Sequence, residues 1–478
     1  MAAQTAVSES GEEEEAFAVV LSRLDKEQLP IVAAAIFQRI QPNHYDAASA
    51  KVPSVGEPIY GSYHALFPIT FGTGTRWLAK IPVNGVEDKW DDLSAGALAS
   101  EAETMRLLKR ETTIPIPEVL DFSATTRNPL RCPYIIMSFI TGLPLYDVWF
   151  GHRLGSSDSD TNRAHRIRVL EGIASAMSQL ARFSFRTGGR VLFGSDGCPS
   201  GIGSERRVDN HAIWGRFFPG HDSVDDSVDN PADDSVGDPA DGRAEDPADD
   251  PVYVECPACS NPKDFYTFFP DLYPQTKPHP KGVSLVLRQL ISWIPEPEGI
   301  DPFVLTHPDF DIQNFIVSED GELLGIIDWD GVAAAPRSLG NERYPGWLTR
   351  DWDPLMYGYL ESMEDGVEPP GLWEDSPATL ADYRRVYDSA MAKHRASADI
   401  NLCRLSLVTD NLAIAANEPG CRDGILVKML GEVWAVVGEG EDPELSDLGS
   451  MLLEDRVDAG LMETLKRGFD VLISKEGL

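Results

Sequence analysis

The sequence predicts an α+β fold of two lobes, a small β-rich N-terminal lobe followed by a larger, mostly helical C-terminal one. Three observations predict it. At 478 residues the chain is longer than one compact core usually sustains, so a division into lobes is expected. Over residues 51–140 short alternating apolar runs are broken by glycine, the period-two signature of strands. Beyond residue 140 the apolar spacing lengthens to the helical three-to-four over long stretches. The expected boundaries are a partly helical N-terminal extension at 1–50, the first lobe at 51–140 and the second lobe at 141–478.

Composition narrows the class. Hydrophobic residues make up 42% and charged residues 25%, as in ordinary soluble globular chains. No run approaches the roughly 18 apolar residues of a membrane span. The start, "MAAQTAVSESGEEEEAFAVV", is acidic and lacks a basic stretch followed by an apolar core, so it is not a secretory signal and a cytoplasmic location is the expectation. Six cysteines are too sparse for a disulfide framework. Cys256 and Cys259 have the spacing of metal ligands, but no second pair accompanies them, so no zinc site is expected. A net charge of -36 argues against nucleic acid and anionic membrane surfaces as partners, since phosphate backbones need Lys and Arg to replace their counterions. Part of that charge is local. Residues 221–252 read as eight imperfect acidic tetrapeptides without an aromatic residue, an insert in the second lobe that cannot bury enough to order itself.

In chain order, "AFAVVLSRLD" and "PIVAAAIFQRI" carry helical spacing. Strands are expected at Ala65–Phe71 and Arg76–Val83, joined at Gly72-Thr73-Gly74-Thr75, a hairpin signal that places Lys80 inside the second strand. From Asp91 to Arg110 the pattern is helical, with Leu98, Ala102, Met105 and Leu108 on one face, Glu101 beside it, and Asp91, Asp92 or Ser94 as N-cap. "CPYIIMSFITG", 132–142, reads as a buried strand. Residues 160–187 predict one long amphipathic helix closed by Gly188-Gly189. Ser284–Ile294 is helical by pattern, short strands follow within 304–317 and 323–327, and Ser376-Pro377 opens a further helix.

The chemistry is concentrated in "VLTHPDFDIQNFIV", 304–317, and its continuation "SEDGELLGIIDWDG". His307, Asp309, Asp311 and Asn314 interrupt material that is otherwise core, and buried polar groups need partners. The order is H-x-D-x4-N, strand, turn, strand, then I-I-D. It places Asp309 as a base for a hydroxyl proton, with Asn314 and Asp328 offering oxygens to Mg²⁺, a hard cation that completes its shell with phosphate and water. Phosphoryl transfer uses such a set: metal to neutralise phosphate charge and a carboxylate to orient the acceptor.

These residues resemble the catalytic core of the aminoglycoside phosphotransferase family, small-molecule members of the protein-kinase-like superfamily. "THPDFDIQNFIV…GIIDWDG" is similar to the family's H-G-D-x4-N and I-D-W pattern, and "IIDWDGVAAAPRSLGNERYPGWLTRDWDP" resembles its fungal members. The resemblance covers roughly residues 50–360. It implies a protein-kinase-like bilobal fold, Asp309 as catalytic base, His307 as brace of the catalytic loop, and Asn314 and Asp328 as Mg²⁺ ligands. It further implies that 51–140 is the nucleotide-binding lobe. There Lys80 of "RWLAKIP" would contact the α- and β-phosphates of ATP, Glu101 of "SEAETMRLL" would pair with it, and backbone groups of the hinge Met137-Ser138-Phe139-Ile140 would hold the adenine. Gly61-Ser62-Tyr63-His64 stands where a glycine-rich phosphate loop belongs, without a G-x-G-x-x-G. Pro308 replaces the family's glycine, and Asp330 replaces the glycine of D-F-G, open between a second metal contact and strand-end solvation.

The expected activity is ATP- and Mg²⁺-dependent transfer of the γ-phosphoryl group to a hydroxyl of a small molecule, a cationic acceptor among the candidates. Two alternatives stay open: a catalytically silent kinase-like binding module, and a protein kinase, disfavoured because neither an arginine at 308 nor an A-P-E element is present. Asp311 reads as a loop-bracing carboxylate. Trp347, Asp351, Trp352 and Asp353 are open between lining an acceptor pocket and packing the lobe.

Overall fold

The computed structural model describes residues 15–40, 52–217, 252–296, 300–394, 401–437 and 442–474. The acidic insert expected at 221–252 lies outside the described residues, apart from Val252.

Six strands, β1 (Ser54–Val55), β2 (Ile59–Tyr60), β3 (His64–Thr70), β4 (Arg76–Pro82), β5 (Val119–Ser123) and β6 (Tyr134–Ser138), form one antiparallel sheet. Their order is β1-β3-β4-β6-β5, with β2 also paired to β3. The β3–β4 turn closes through Phe71 N–H to the Thr75 carbonyl at 2.9 Å, and Gly74 occupies a φ of 84° that side chains disfavour. Period-two alternation then decides which way each side chain points. Ala65, Phe67 and Ile69 of β3, Trp77, Ala79 and Ile81 of β4 and Ile136 of β6 pack under the helices Ala18–Arg23 and Gln28–Ile40. Each large apolar side chain buried this way contributes roughly 1.5–3 kcal/mol. Lys80 falls between Ala79 and Ile81 and so faces away from those helices.

On that opposite side lies the helix Asp92–Glu111, capped by the Asp91 carboxylate, which accepts from the Ser94 N–H at 2.7 Å. Leu98, Ala102, Met105 and Leu108 are buried as their spacing predicts. Glu101 follows Leu98 by three residues and precedes Met105 by four, which puts it on the same buried face at 3% exposure.

Two departures from the sequence expectation lie in the second lobe. The helix expected over 160–187 spans Ser159–Ser178 and gives way to a 3-10 turn at Gln179–Arg182, because Ser184–Phe185 is drawn out as a strand beside Phe303–Val304. Gly188 and Gly189 cap no helix. They bridge to Cys259 and Ala334, and a Cβ on Gly188 would lie 2.4 Å from the Phe303 ring, so the glycine permits a close backbone approach. Elsewhere long helices such as Pro278–Ser292, Pro377–Ala392, Leu402–Asn417 and Pro419–Ala435 enclose a core that includes Trp149, Tyr266, Trp329 and Phe469. Among the described residues no helix is long and apolar enough to cross a membrane.

Two small antiparallel ladders cross the top of this lobe. Phe303–Thr306 pairs with Ala333–Pro336, and Phe315–Val317 pairs with Leu323–Ile326 in the register Phe315↔Ile326. The loop holding His307 to Asn314 therefore joins the two ladders, and Asp328 follows the last strand directly.

Candidate active site

The sheet side supplies a cation held by carboxylates. Lys80 Nζ lies 2.7 Å from Glu101 Oε1 and 3.1 Å from Asp328 Oδ1, so one ammonium ties the first lobe to the second. Burial alone would lower the Lys80 pKa, but Asp328 and Glu101 outweigh it and hold the ammonium above its usual range. The same ammonium is the main reason that the Asp328 carboxyl sits well below the ordinary aspartate value. Burial pushes Glu101 up, to about 7, against the pull of Lys80.

Asp328 has a φ of 58°. Left-handed backbone at a non-glycine residue costs on the order of 1 kcal/mol and collects where function demands a geometry. The register explains the neighbourhood: Ile327 N–H donates to the Asn314 carbonyl at 2.9 Å, which brings the residue before Asp328 against Asn314. Asn314 is buried and its amide nitrogen donates to the Asp309 carbonyl and to Asp309 Oδ2, both at 2.8 Å. Gln313 donates to the same oxygen at 2.9 Å. Burial raises the Asp309 pKa, opposed by these hydrogen bonds.

His307 is fully buried, 2.8 Å from the Ile327 carbonyl through Nε2 and edge-on to Trp329 at 4.6 Å. Burial pushes its pKa down to about 4, so the ring is neutral and braces the loop against the next strand. Asp311 caps the 3-10 turn Ile312–Asn314 and is paired with Arg350 at 3.0 Å.

A cavity of about 350 Å³ is lined by Gly61, Ser62, Lys80, Glu101, Ser138, Ile140, Asp309, Asn314 and Asp328, with Leu66, Leu78, Met105 and Ile316 as apolar walls. In the hinge, Ser138 and Phe139 donate their N–H groups to the carbonyls of Glu118 and Arg76, at 2.9 and 3.0 Å. The Ile140 N–H is left with no acceptor among the described residues. His307 lines the adjoining cavity, of about 610 Å³, which shares Tyr63, His64, Asp309 and Asp328 with the first. Tyr253, Phe265, Phe269, Arg206 and Glu418 form its further wall.

Sequence reasoning did not find that wall. Arg206 pairs with Asp330 at 3.3 Å and stacks on Tyr253 at 4.1 Å. Asp330 is thus held by an arginine that is 124 positions earlier in the chain, a pairing no local pattern signals. His64 Nε2 lies 3.8 Å from the same carboxylate, and burial, with Lys80 nearby, keeps its ring neutral by pushing its pKa down to about 3. Trp347, Asp351, Trp352 and Asp353 line neither cavity. Trp347 packs edge-on against Trp149 and Phe315, and Asp351 binds Arg384 through both oxygens at 2.7 and 3.1 Å. Trp347 and Trp352 belong to the buried core of the second lobe. Cys256 and Cys259 carry thiols pushed by burial up to about 12 and about 11. No group of three or more His, Cys, Asp or Glu residues is placed to hold a metal among the described residues.

Two lobes, an ammonium clamped by helix and strand-end carboxylates, and an Asp/Asn loop facing it make up an α+β bilobal fold. The chain resembles aminoglycoside phosphotransferases and related kinases. No protein-family model matches the chain. It is 28% identical over 145 residues to "Altered inheritance of mitochondria protein 9, mitochondrial" of Candida dubliniensis, covering 30% of this chain and 22% of that protein. With the protein of the same name in Kluyveromyces lactis it shares 20% over 326 residues, 64% of this chain and 52% of the relative. The chain thus spans between about a fifth and a half of these curated relatives. Among solved structures, a candidate aminoglycoside phosphotransferase from Ralstonia eutropha aligns with a TM-score of 0.44 at 14% identity, over 94% of this chain and 99% of the other. A Plasmodium vivax ethanolamine kinase aligns with 0.37 at 11% identity, over 92% and 91%. The mitochondrial names of the fungal relatives overturn the expectation of a cytoplasmic location, which rested on the composition of the first residues alone.

Proposed function

We propose that this protein is an ATP-dependent phosphotransferase that moves the γ-phosphoryl group to a hydroxyl of a small molecule. The observation that carries this reading is Lys80, held between Glu101 and Asp328 at 2.7 and 3.1 Å at the floor of a cavity that also receives Asp309 and Asn314. A buried ammonium kept charged by two carboxylates is suited to phosphate oxygens, since it keeps its charge in a low-dielectric site where that charge acts strongly. Ser138 and Ile140 offer the hinge to the base, and Gly61 and Ser62 cover the phosphates.

The donor set fits Mg²⁺. Asn314 commits its amide nitrogen to Asp309 and leaves Oδ1 without a donor among the described residues, and the Asp328 side chain is half exposed. Both are hard oxygens, and both line the cavity. Bound there, the ion supplies neutralisation of phosphate charge. Asp309 takes the acceptor hydroxyl's proton, and Asn314 and Gln313 hold its carboxylate in place. The acceptor enters from the larger cavity, which meets the smaller one at Asp309 and Asp328. The partner is accordingly a small hydroxylated molecule.

The test is phosphate incorporation from labelled ATP across pools of hydroxylated metabolites, amines and aminoglycosides. Wild-type protein labels at least one acceptor, and Asp309→Asn reduces the rate by roughly 10²–10⁴-fold. Nucleotide binding without labelling of any acceptor would leave only the binding-module alternative, and undiminished labelling by Asp309→Asn would remove Asp309 from the chemistry.

A further inference from the structure

The loop that presents Asp309 is short of internal support. Pro308 has no N–H, and the carbonyls around it must be satisfied from elsewhere. They are satisfied by a segment more than thirty residues downstream. Arg343 Nη2 donates to the His307 carbonyl at 2.8 Å and to the Pro308 carbonyl at 3.3 Å. Its guanidinium carbon lies 5.5 Å from the centre of the Phe310 ring, and Gly346 N–H donates to the Phe310 carbonyl at 2.7 Å. Backbone groups on both sides of Asp309 are therefore gripped by Arg343 to Gly346. The approach is close: a Cβ at Gly346 would stand 3.2 Å from Asp311 Cγ.

The gripping segment is itself anchored. Arg343 Nη1 pairs with Asp410 Oδ1 at 3.3 Å, and Tyr344 N–H donates to Ser406 Oγ at 2.9 Å, both on the helix Leu402–Asn417. A planar guanidinium can serve two carbonyls and a carboxylate at once, whereas an ammonium on a flexible stem cannot hold that fork.

We propose that Arg343 is a positioning residue for phosphoryl transfer, clamping the catalytic loop through its main-chain carbonyls and referring Asp309 to the helix Leu402–Asn417 through Asp410. This rests on the reading of Asp309 as the base. Arg343 also lines the larger cavity, but the role assigned to it runs through the loop carbonyls rather than through contact with the reacting groups. Its effect is on where the carboxylate stands, and a misplacement of about 1 Å costs roughly 10²-fold in rate.

The experiment pairs turnover with hydrogen exchange in the full-length chain, using Arg343→Met and Arg343→Lys, with Asp410→Asn as a gentler variant should Arg343→Met not fold. With Arg343→Met, kcat falls roughly 10²-fold while the KM for ATP stays within about twofold, and Arg343→Lys recovers only part of the loss. Backbone exchange across 309–314 accelerates by roughly tenfold or more, while that of Phe303–Thr306 is unchanged. Equal losses in kcat and nucleotide affinity, or full recovery by lysine, would overturn the positioning role. If wild-type protein turns over no acceptor, it is the phosphotransfer reading that fails. The exchange result still judges the clamp, and unaltered exchange over 309–314 in the variants refutes it.

Discussion

Replacing Asp328 by alanine and by glycine separates two roles that share one residue. Both variants lose the carboxylate, and with it the 3.1 Å contact to Lys80. Both variants lose this contact alike, so it drops out of the difference between them. The backbone adds a second effect. At a φ of 58°, alanine retains a left-handed conformation that costs roughly 1–2 kcal/mol, and glycine does not. Glycine loses about 0.4–1 kcal/mol of that advantage through the greater freedom of its unfolded chain. The expected order is therefore Asp328→Gly more stable than Asp328→Ala by about 1 kcal/mol, while both lose phosphoryl transfer by roughly 10²-fold or more. Urea unfolding monitored by tryptophan fluorescence measures the first quantity, and labelled-phosphate incorporation the second. If the alanine variant were as stable as the glycine variant, the backbone at 328 would hold no strain and the structural reading of this position would be wrong.

Three further outcomes are expected. His307, with a pKa pushed down by burial to about 4, takes its proton later than the unfolded chain's histidine at about 6.5, so stability is lost as pH falls from about 6.5 towards 4, by up to about 3 kcal/mol. His307→Gln, which keeps a donor to Ile327, should flatten that slope by about one proton, and an unchanged slope would count against a neutral His307. Because burial raises the Asp309 pKa, and the base must be ionised, kcat should fall on the acid side at a pH above the usual aspartate range, and Asp309→Asn should have no such limb. Trp347→Ala should cost about 3–5 kcal/mol of stability with KM for the acceptor unchanged, since Trp347 is 3% exposed and lines neither cavity; a raised KM without destabilisation would return it to the acceptor site.

The parts of the site that the sequence announced are those in which a polar residue breaks a local period. Asp309, Asn314 and Asp328 stand between runs of core residues and are legible from their immediate neighbours, whereas Lys80 in an alternating strand and Glu101 beside a helical face are singled out only by the family resemblance. Residues whose position depends on distant contacts were not legible. Arg343 grips carbonyls 36 and 35 positions upstream, Arg206 reaches Asp330 across a segment that encloses the acidic insert, and neither sits in any periodic pattern. The same limit explains the misread helix. Residues 179–187 have apolar spacing compatible with a helix, but Ser184–Phe185 pairs with Phe303–Val304, and tertiary pairing overrides local propensity. The cluster Trp347 to Asp353 was ambiguous because aromatic and acidic residues side by side suit a ligand pocket and a salt-bridged core equally well.

The proposed function requires the two lobes to meet around a nucleotide and Mg²⁺ through Lys80, Asn314 and Asp328. Calorimetric titration of ATP into wild-type protein and Asp328→Asn, with Mg²⁺ and then with EDTA, tests this most directly. Wild-type protein should bind ATP at least about tenfold more tightly with Mg²⁺, a difference of about 1.4 kcal/mol, and Asp328→Asn should bind equally in both conditions. Equal affinity of the wild type with and without Mg²⁺, or a metal dependence that survives in Asp328→Asn, would contradict it.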